Sequence, residues 1–286
     1  MKHILLLFAL LFISCSTPRQ ATIASRQTIA DGVEVIHANY TVTKDGEQLP
    51  TKLFIMDVTL SDKVTLLATV ADDNNNSIKP TVELQTAIAP ISKQLEAMQT
   101  NRPNIKVLGG VNSDFYHIKR SNMVCGAIYR GGECLKGEID SAANLFVILK
   151  DGTARCMTAE EYAAFDKNLI AEAVSGRQML LNDGVPQSED TRLEPRTAIG
   201  VTKDGKRAFI LVGDGRRKEY SNGLSYADMI RIFSKLGAYD AINLDGGGSS
   251  SFCLSAGDGK FAPINRPSDR AGERFVPNGL AVVVLQ

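Results

Sequence analysis

Three consecutive glycines, Gly246-Gly247-Gly248, stand between two short apolar segments, residues 238–242 and 252–254. Each segment has the length and composition of a buried strand. The run from Asn243 to Ser251 must therefore carry the chain from one strand to the next. Glycines in succession cost backbone entropy, so a turn this rich in them needs a geometric reason. One reason is that their N–H groups can face a single point and make a concave anion site. Asp245 would then place a carboxylate beside that site, with Ser249 and Ser250 adding hydroxyls. The other reason is a tight strand-to-strand turn in which Asp245 bonds its own backbone. Both readings stand at this level.

The rest of the chain sets what surrounds that turn. Residues 33–42, 53–60, 64–70 and 105–111 alternate or run apolar, as strands do. Hairpins are predicted across Gly131-Gly132, across Asp151-Gly152, and across Lys203-Asp204-Gly205-Lys206. A helical stripe, Leu84, Ile88, Ile91, Leu95 and Met98, contains Pro90, which must kink or divide it. Thr158-x-x-Glu161 and Ser225-x-x-Asp228 read as capping boxes, the second opening a helix that Gly237 ends. Residues 276–285 read as a closing strand interrupted at Pro277-Asn278-Gly279. Hairpins dominate and helices are few. The expected class is α+β, a mostly antiparallel or mixed β-sheet with helices packed against it.

Composition excludes several functions. Charge is balanced, with 32 basic and 32 acidic residues, which argues against a nucleic-acid partner. Three histidines and no tryptophan make a His-rich zinc site a poor expectation. Cys125, Cys134, Cys156 and Cys253 have no His or Cys at ligand or triad spacing, and read as buried or paired. Asp245, Asp114 and the loop at Asn74–Asn76 offer oxygen ligands, but no EF-hand spacing supports calcium. Neither a metal nor a cofactor is expected.

Lys2, a short apolar run at residues 4–13 and Ser14-Cys15 form a secretory signal too short to span a membrane. Their order resembles the lipobox of bacterial lipoproteins, which implies lipidation of Cys15 and attachment to the cell envelope. The expected organisation is a signal at 1–14, a tether at 15–30, a β-rich and helical segment at 31–105, and a catalytic or binding domain at 106–286.

Five motifs in order carry a further resemblance. They are Gly110-Val111-Asn112-Ser113-Asp114-Phe115-Tyr116, Pro195-Arg196-Thr197-Ala198-Ile199-Gly200, the helix near Ser225, the run from Asn243 to Ser250, and Val276-Pro277-Asn278-Gly279-Leu280. Together they resemble the phosphodiester glycosidase family, over roughly residues 109–285. The resemblance implies hydrolysis of a sugar phosphodiester or phosphoglycan, with cleavage at the anomeric C–O bond. A phosphate leaving group needs little protonation, so a cation can stand in for a general acid. Arg196 fits a bidentate phosphate clamp, and Gly246, Gly247, Gly248 and Ser249 fit the remaining oxygens. Asp245, ranked before Asp114, would attack the sugar or activate water. Asn112 would orient it, and Asn278 and Arg274 would bind substrate. Tyr116 and His117 are candidates to line the pocket. The competing expectation is a lipid-anchored phosphoglycan- or carbohydrate-binding protein without turnover. A carboxylate beside an anion site repels a merely bound ligand, which favours the enzyme.

Overall fold

The computed structural model describes residues 21–71, 87–118 and 123–286. In chain order it forms β1 (Thr22–Ala30), β2 (Val33–Lys44), β3 (Glu47–Thr59), β4 (Val64–Val70), α1 (Ile91–Asn101), β5 (Ile105–Asn112), β6 (Ile128–Arg130), β7 (Glu133–Lys136), β8 (Asn144–Leu149) and β9 (Ala154–Met157). Then follow α2 (Ala159–Ala164), β10 (Ile170–Gly176), β11 (Met179–Asn182), β12 (Val185–Pro186), β13 (Arg196–Val201), β14 (Arg207–Gly213), α3 (Tyr226–Leu236), β15 (Asp240–Asn243), β16 (Phe252–Gly257), β17 (Lys260–Pro263) and β18 (Asn278–Leu285).

The strands make three sheets. An eight-stranded sheet runs β1-β2-β3-β14-β13-β15-β11-β12, and two five-stranded sheets run β7-β6-β10-β8-β9 and β17-β16-β5-β18-β4. The pairings among the described residues are antiparallel. The fold is thus the expected sheet-dominated α+β class. Inner faces of all three sheets meet in one core that includes Met56, Leu66, Val111, Phe146, Val174, Ile210 and Phe252. α3 covers the outer face of the large sheet through Met229, Ile230 and Phe233, and α1 covers β5 and β18 through Ile91, Leu95 and Met98.

Local chemistry explains the helix limits. Ser225 Oγ accepts from Asp228 N at 3.0 Å while Asp228 Oδ2 accepts from Ser225 N at 3.3 Å. Two of the first turn's unpaired donors are satisfied in this way. Gly237 closes the helix at φ +87°, where a side chain would be strained. Pro90 does not kink a helix; it caps one. α1 starts at Ile91, and Ile88 lies before it, because proline disfavours helical backbone in the residue preceding it. Leu84, the Asn74–Asn76 loop and Cys15 lie outside the described residues.

Several expectations change. The closing strand is not interrupted; it starts at Asn278, immediately after a proline that cannot donate to a ladder. Residues 22–30 of the expected tether form an edge strand along β2. Sheets also cross the boundary drawn between residues 105 and 106, since β3 pairs with β14 and β4 with β18. The four described cysteines are free thiols, and Cys134 stands opposite Tyr129 in its hairpin.

One buried carboxyl ties two sheets together. Glu172 on β10 accepts from Ala68 N on β4 at 2.8 Å and from Gly131 N at 2.6 Å. Burial pushes it up to about 7. Glu172→Ala would strand the buried Ala68 N–H, a loss of about 1–3 kcal/mol. Urea unfolding of the variant should show a lower midpoint with the slope unchanged, and an unchanged midpoint would remove Glu172 from the sheet contact. The sign with pH follows from the raised value. A carboxyl that holds its proton more tightly when folded stabilises fully below the unfolded value of 4.5, and that contribution is lost as pH rises through about 7.

Candidate active site

Strand ends from two sheets converge on the Asn243–Ser251 run. Asp245 N donates to Ser113 O at 2.7 Å and Leu244 N to Thr197 O at 2.9 Å. Asn112, at the end of β5, donates to Asp245 O at 2.6 Å, and its Oδ1 accepts from Thr197 Oγ1 at 2.9 Å and Ser251 N at 3.1 Å. Asn112 thus holds the Asp245 carbonyl directly and ties it to Thr197 and Ser251. Gly176 is needed here because a Cβ would lie 2.2 Å from Asn243 O.

The Asp245 carboxyl is partly exposed and accepts from Gly246 N at 2.9 Å. Burial pushes it up to about 6, opposed by the Ser249 hydroxyl, the Gly246 amide and the charges of Arg274 and Arg177. Asp114 is only 2% exposed. Its Oδ1 accepts from Ser113 Oγ, Ser175 N and Asn278 Nδ2 at 3.1, 2.9 and 2.7 Å. Its Oδ2 is buried without a hydrogen bond. Desolvation raises Asp114 to about 7. Asn278 also accepts from Asp114 N at 3.2 Å. Asn278 is buried and both ends of its amide are taken by Asp114, so it positions Asp114 and is not presented to a sugar.

The glycines have a different use from the expected cradle. Gly246 N is taken by the Asp245 carboxylate and Gly247 N by Pro195 O at 2.8 Å, so two of the three amides already have partners within the protein. The glycines instead admit guanidinium groups. A Cβ on Gly247 would lie 3.1 Å from Arg216 Nη2, and one on Gly248 would lie 2.1 Å from Arg274 Nη2. Arg274 binds Asp269 at 2.8 Å and reaches Ser249 Oγ at 3.4 Å. Arg216 binds Glu194 at 2.8 Å. Its φ of +63° is an uncommon backbone state costing roughly 1–3 kcal/mol, and it carries the guanidinium to Gly247.

Arg196 does not join them as read from the sequence. Its Nε donates to Leu224 O at 3.2 Å, its Nη2 to Arg192 O at 3.4 Å, and its guanidinium lies 4.3 Å from the Tyr226 ring centre. Arg196 is buried and ties β13 to the start of α3. The cationic wall over the glycines is Arg274 with Arg216.

Tyr116 feels the charges of Asp245 and Arg274 and bonds the Ser249 side chain, which places it at the site. Ser175, Arg177 and Arg216 were not read as site residues. For Arg216 the Asp214-Gly215-Arg216 turn at a strand end is the one sequence signal; Ser175 and Arg177 carry none. Asp214 itself is structural, accepting from Asn265, Tyr220 and Arg266 N at 2.8, 3.0 and 2.8 Å. Among the described residues, a cluster of three metal-type ligands forms only at His117, Cys125 and Asp140, so Asp114 and Asp245 belong to none.

A family model described as phosphodiester glycosidase matches residues 106–283. The catalytic domain of a zebrafish N-acetylglucosamine-1-phosphodiester alpha-N-acetylglucosaminidase, auto-inhibited by its pro-peptide, is similar in structure. The TM-score is 0.62 at 20% identity, covering 94% of this chain and 88% of that one. A Burkholderia pseudomallei protein described as exported gives a TM-score of 0.59 at 12% identity, covering 94% and 97%. A Synechocystis protein gives 0.58 at 13% identity, covering 92% of this chain and 64% of its own. At these identities the likeness is one of fold. A comparison with curated proteins gave no match.

Proposed function

Because the chain belongs to the phosphodiester glycosidase family, we propose that it hydrolyses a sugar–phosphate–R diester at the anomeric C–O bond. The observation that supports this most is one turn that holds a half-buried carboxyl, Asp245, next to glycines overlaid by Arg274 and Arg216. Guanidinium groups bind phosphate oxygens and stabilise the charge that develops as the phosphate leaves. Asp245, the partly exposed member of the acidic pair, attacks the anomeric carbon or takes the proton of the attacking water. Buried Asp114, locked to Asn278 and Ser175, positions the strand ends that carry it.

The test is incubation with UDP-N-acetylglucosamine and related sugar phosphodiesters, with release of the free sugar followed by NMR. No release from any sugar phosphodiester would overturn the reading. The pH profile adds a second check. Asp245 must be ionised to act, and burial holds it near 6. The rate kcat/KM should therefore rise as pH increases through about 6 and level off above it. A profile flat from about pH 5 to 8 would mean that another group does the chemistry.

The same proposal holds the enzyme on the cell envelope through Cys15, supported by the Lys2, apolar-run and Ser14-Cys15 order. Cys15→Ala should move the protein from the membrane fraction to the soluble one, and continued membrane association would end the lipid-anchor reading.

A further inference from the structure

Three ligand types that the sequence leaves apart are neighbours in the fold. His117, Cys125 and Asp140 each present one ligand atom, and these atoms lie within 4.8 Å of one another. Cys125 Sγ and His117 Nε2 are 3.9 Å apart. With zinc bonds of about 2.3 Å to sulfur and 2.0–2.2 Å to nitrogen or oxygen, tetrahedral ligand atoms sit roughly 3.3–3.6 Å from one another. The observed set is wider than this and closes onto an ion by contracting up to about 1–1.5 Å.

The backbone already holds the three residues together. Cys125 N donates to Phe115 O at 2.8 Å, His117 N to Met123 O at 3.0 Å, and Asp140 N to Cys125 O at 2.8 Å. The charges also match. A thiolate and a carboxylate neutralise a divalent ion, and a neutral imidazole adds a third bond. Burial, helped by the Asp140 charge, pushes the Cys125 thiol up, and the hydrogen bond from Arg177 Nη2 at 3.6 Å opposes that shift. Asp140 is exposed, which gives an ion a way in.

We propose that His117, Cys125 and Asp140 form a binding site for a divalent transition-metal ion of the zinc type, with its fourth position open. Binding releases the Cys125 thiol proton to solvent, and the sulfur then donates its electron pair to the ion. Arg177 lies between this site and Asp245, but the test reads metal binding and does not depend on turnover.

Cobalt(II) is the probe. The full chain, first stripped with a chelator, is titrated with Co²⁺ and followed by visible and near-ultraviolet absorption. Intense tetrahedral d–d bands and a thiolate-to-cobalt charge-transfer band should appear, saturate at one ion per chain, and vanish when Zn²⁺ is added. Cys125→Ser should abolish the charge-transfer band. Asp140→Asn, at an exposed position that leaves folding intact, should weaken Co²⁺ binding by at least the ~10–100-fold that loss of an outer-shell partner costs. Absence of the thiolate band in the parent chain overturns the site. So does a band that Cys125→Ser leaves in place, or an affinity that Asp140→Asn leaves unchanged.

Discussion

Asp245→Asn is expected to fold and melt like the parent chain and to lose turnover by at least ~10³-fold, the scale at which a lost nucleophile or base is felt. The amide is isosteric, and its oxygen can still accept from Gly246 N, the bond that shapes the turn. What it cannot do is attack carbon or hold a proton. Removing a carboxyl that burial has pushed up to about 6 also relieves a desolvation cost, so the melting temperature at neutral pH should not fall. Single-turnover kinetics and calorimetry on the same preparation separate the two effects. A variant with parental rate would take Asp245 out of the mechanism and leave Asp114 as the acidic group to test.

Gly248→Ala should produce the complementary failure, a lost phosphate clamp in a folded protein. The new methyl would sit 2.1 Å from Arg274 Nη2 and 2.6 Å from its Cζ. The obstacle is the far end of a flexible side chain, so the guanidinium moves and the backbone stays. Losing one charge-stabilising contact of this kind costs about 2–4 kcal/mol in kcat/KM, with the melting temperature nearly unchanged. Gly176→Ala is the contrast, because its methyl would meet the Asn243 carbonyl at 2.2 Å. Backbone cannot swing aside, and both stability and activity should fall. Parental kinetics in Gly248→Ala would show that Arg274 makes no contact that matters in the transition state.

The elements readable from sequence were those written in local chemistry. The Lys203–Lys206 turn, the Asp151-Gly152 turn and both capping boxes fix their geometry within a few residues, and all four form. β10 escaped detection because its partners, β6 and β8, come from hairpins far up the chain. The Glu172 side chain also breaks its apolar run for a contact made only in the folded state. β1 reads as a polar tether because seven of its nine residues are exposed, and only its pairing with β2 makes it a strand. The same division holds at the site. Asp245, Asp114 and Asn112 lie in dense motifs at strand ends, where the sequence marks them locally. The direction of a long side chain is not local information. Arg196 and Arg274 flank the same glycines in sequence terms, yet one guanidinium lies over Tyr226 and the other over Gly248.

β18 emerges from the ribosome after every other described strand, yet it lies in the interior of its sheet, hydrogen-bonded to β5 on one side and β4 on the other. Until it arrives, β4 and β5 are open edges carrying Leu66, Val107 and Val111, which are buried when folded. Exposed apolar edges invite pairing with other chains. A nascent chain stalled before Asn278 would therefore be prone to aggregate, and this sheet can close only after translation has passed residue 285.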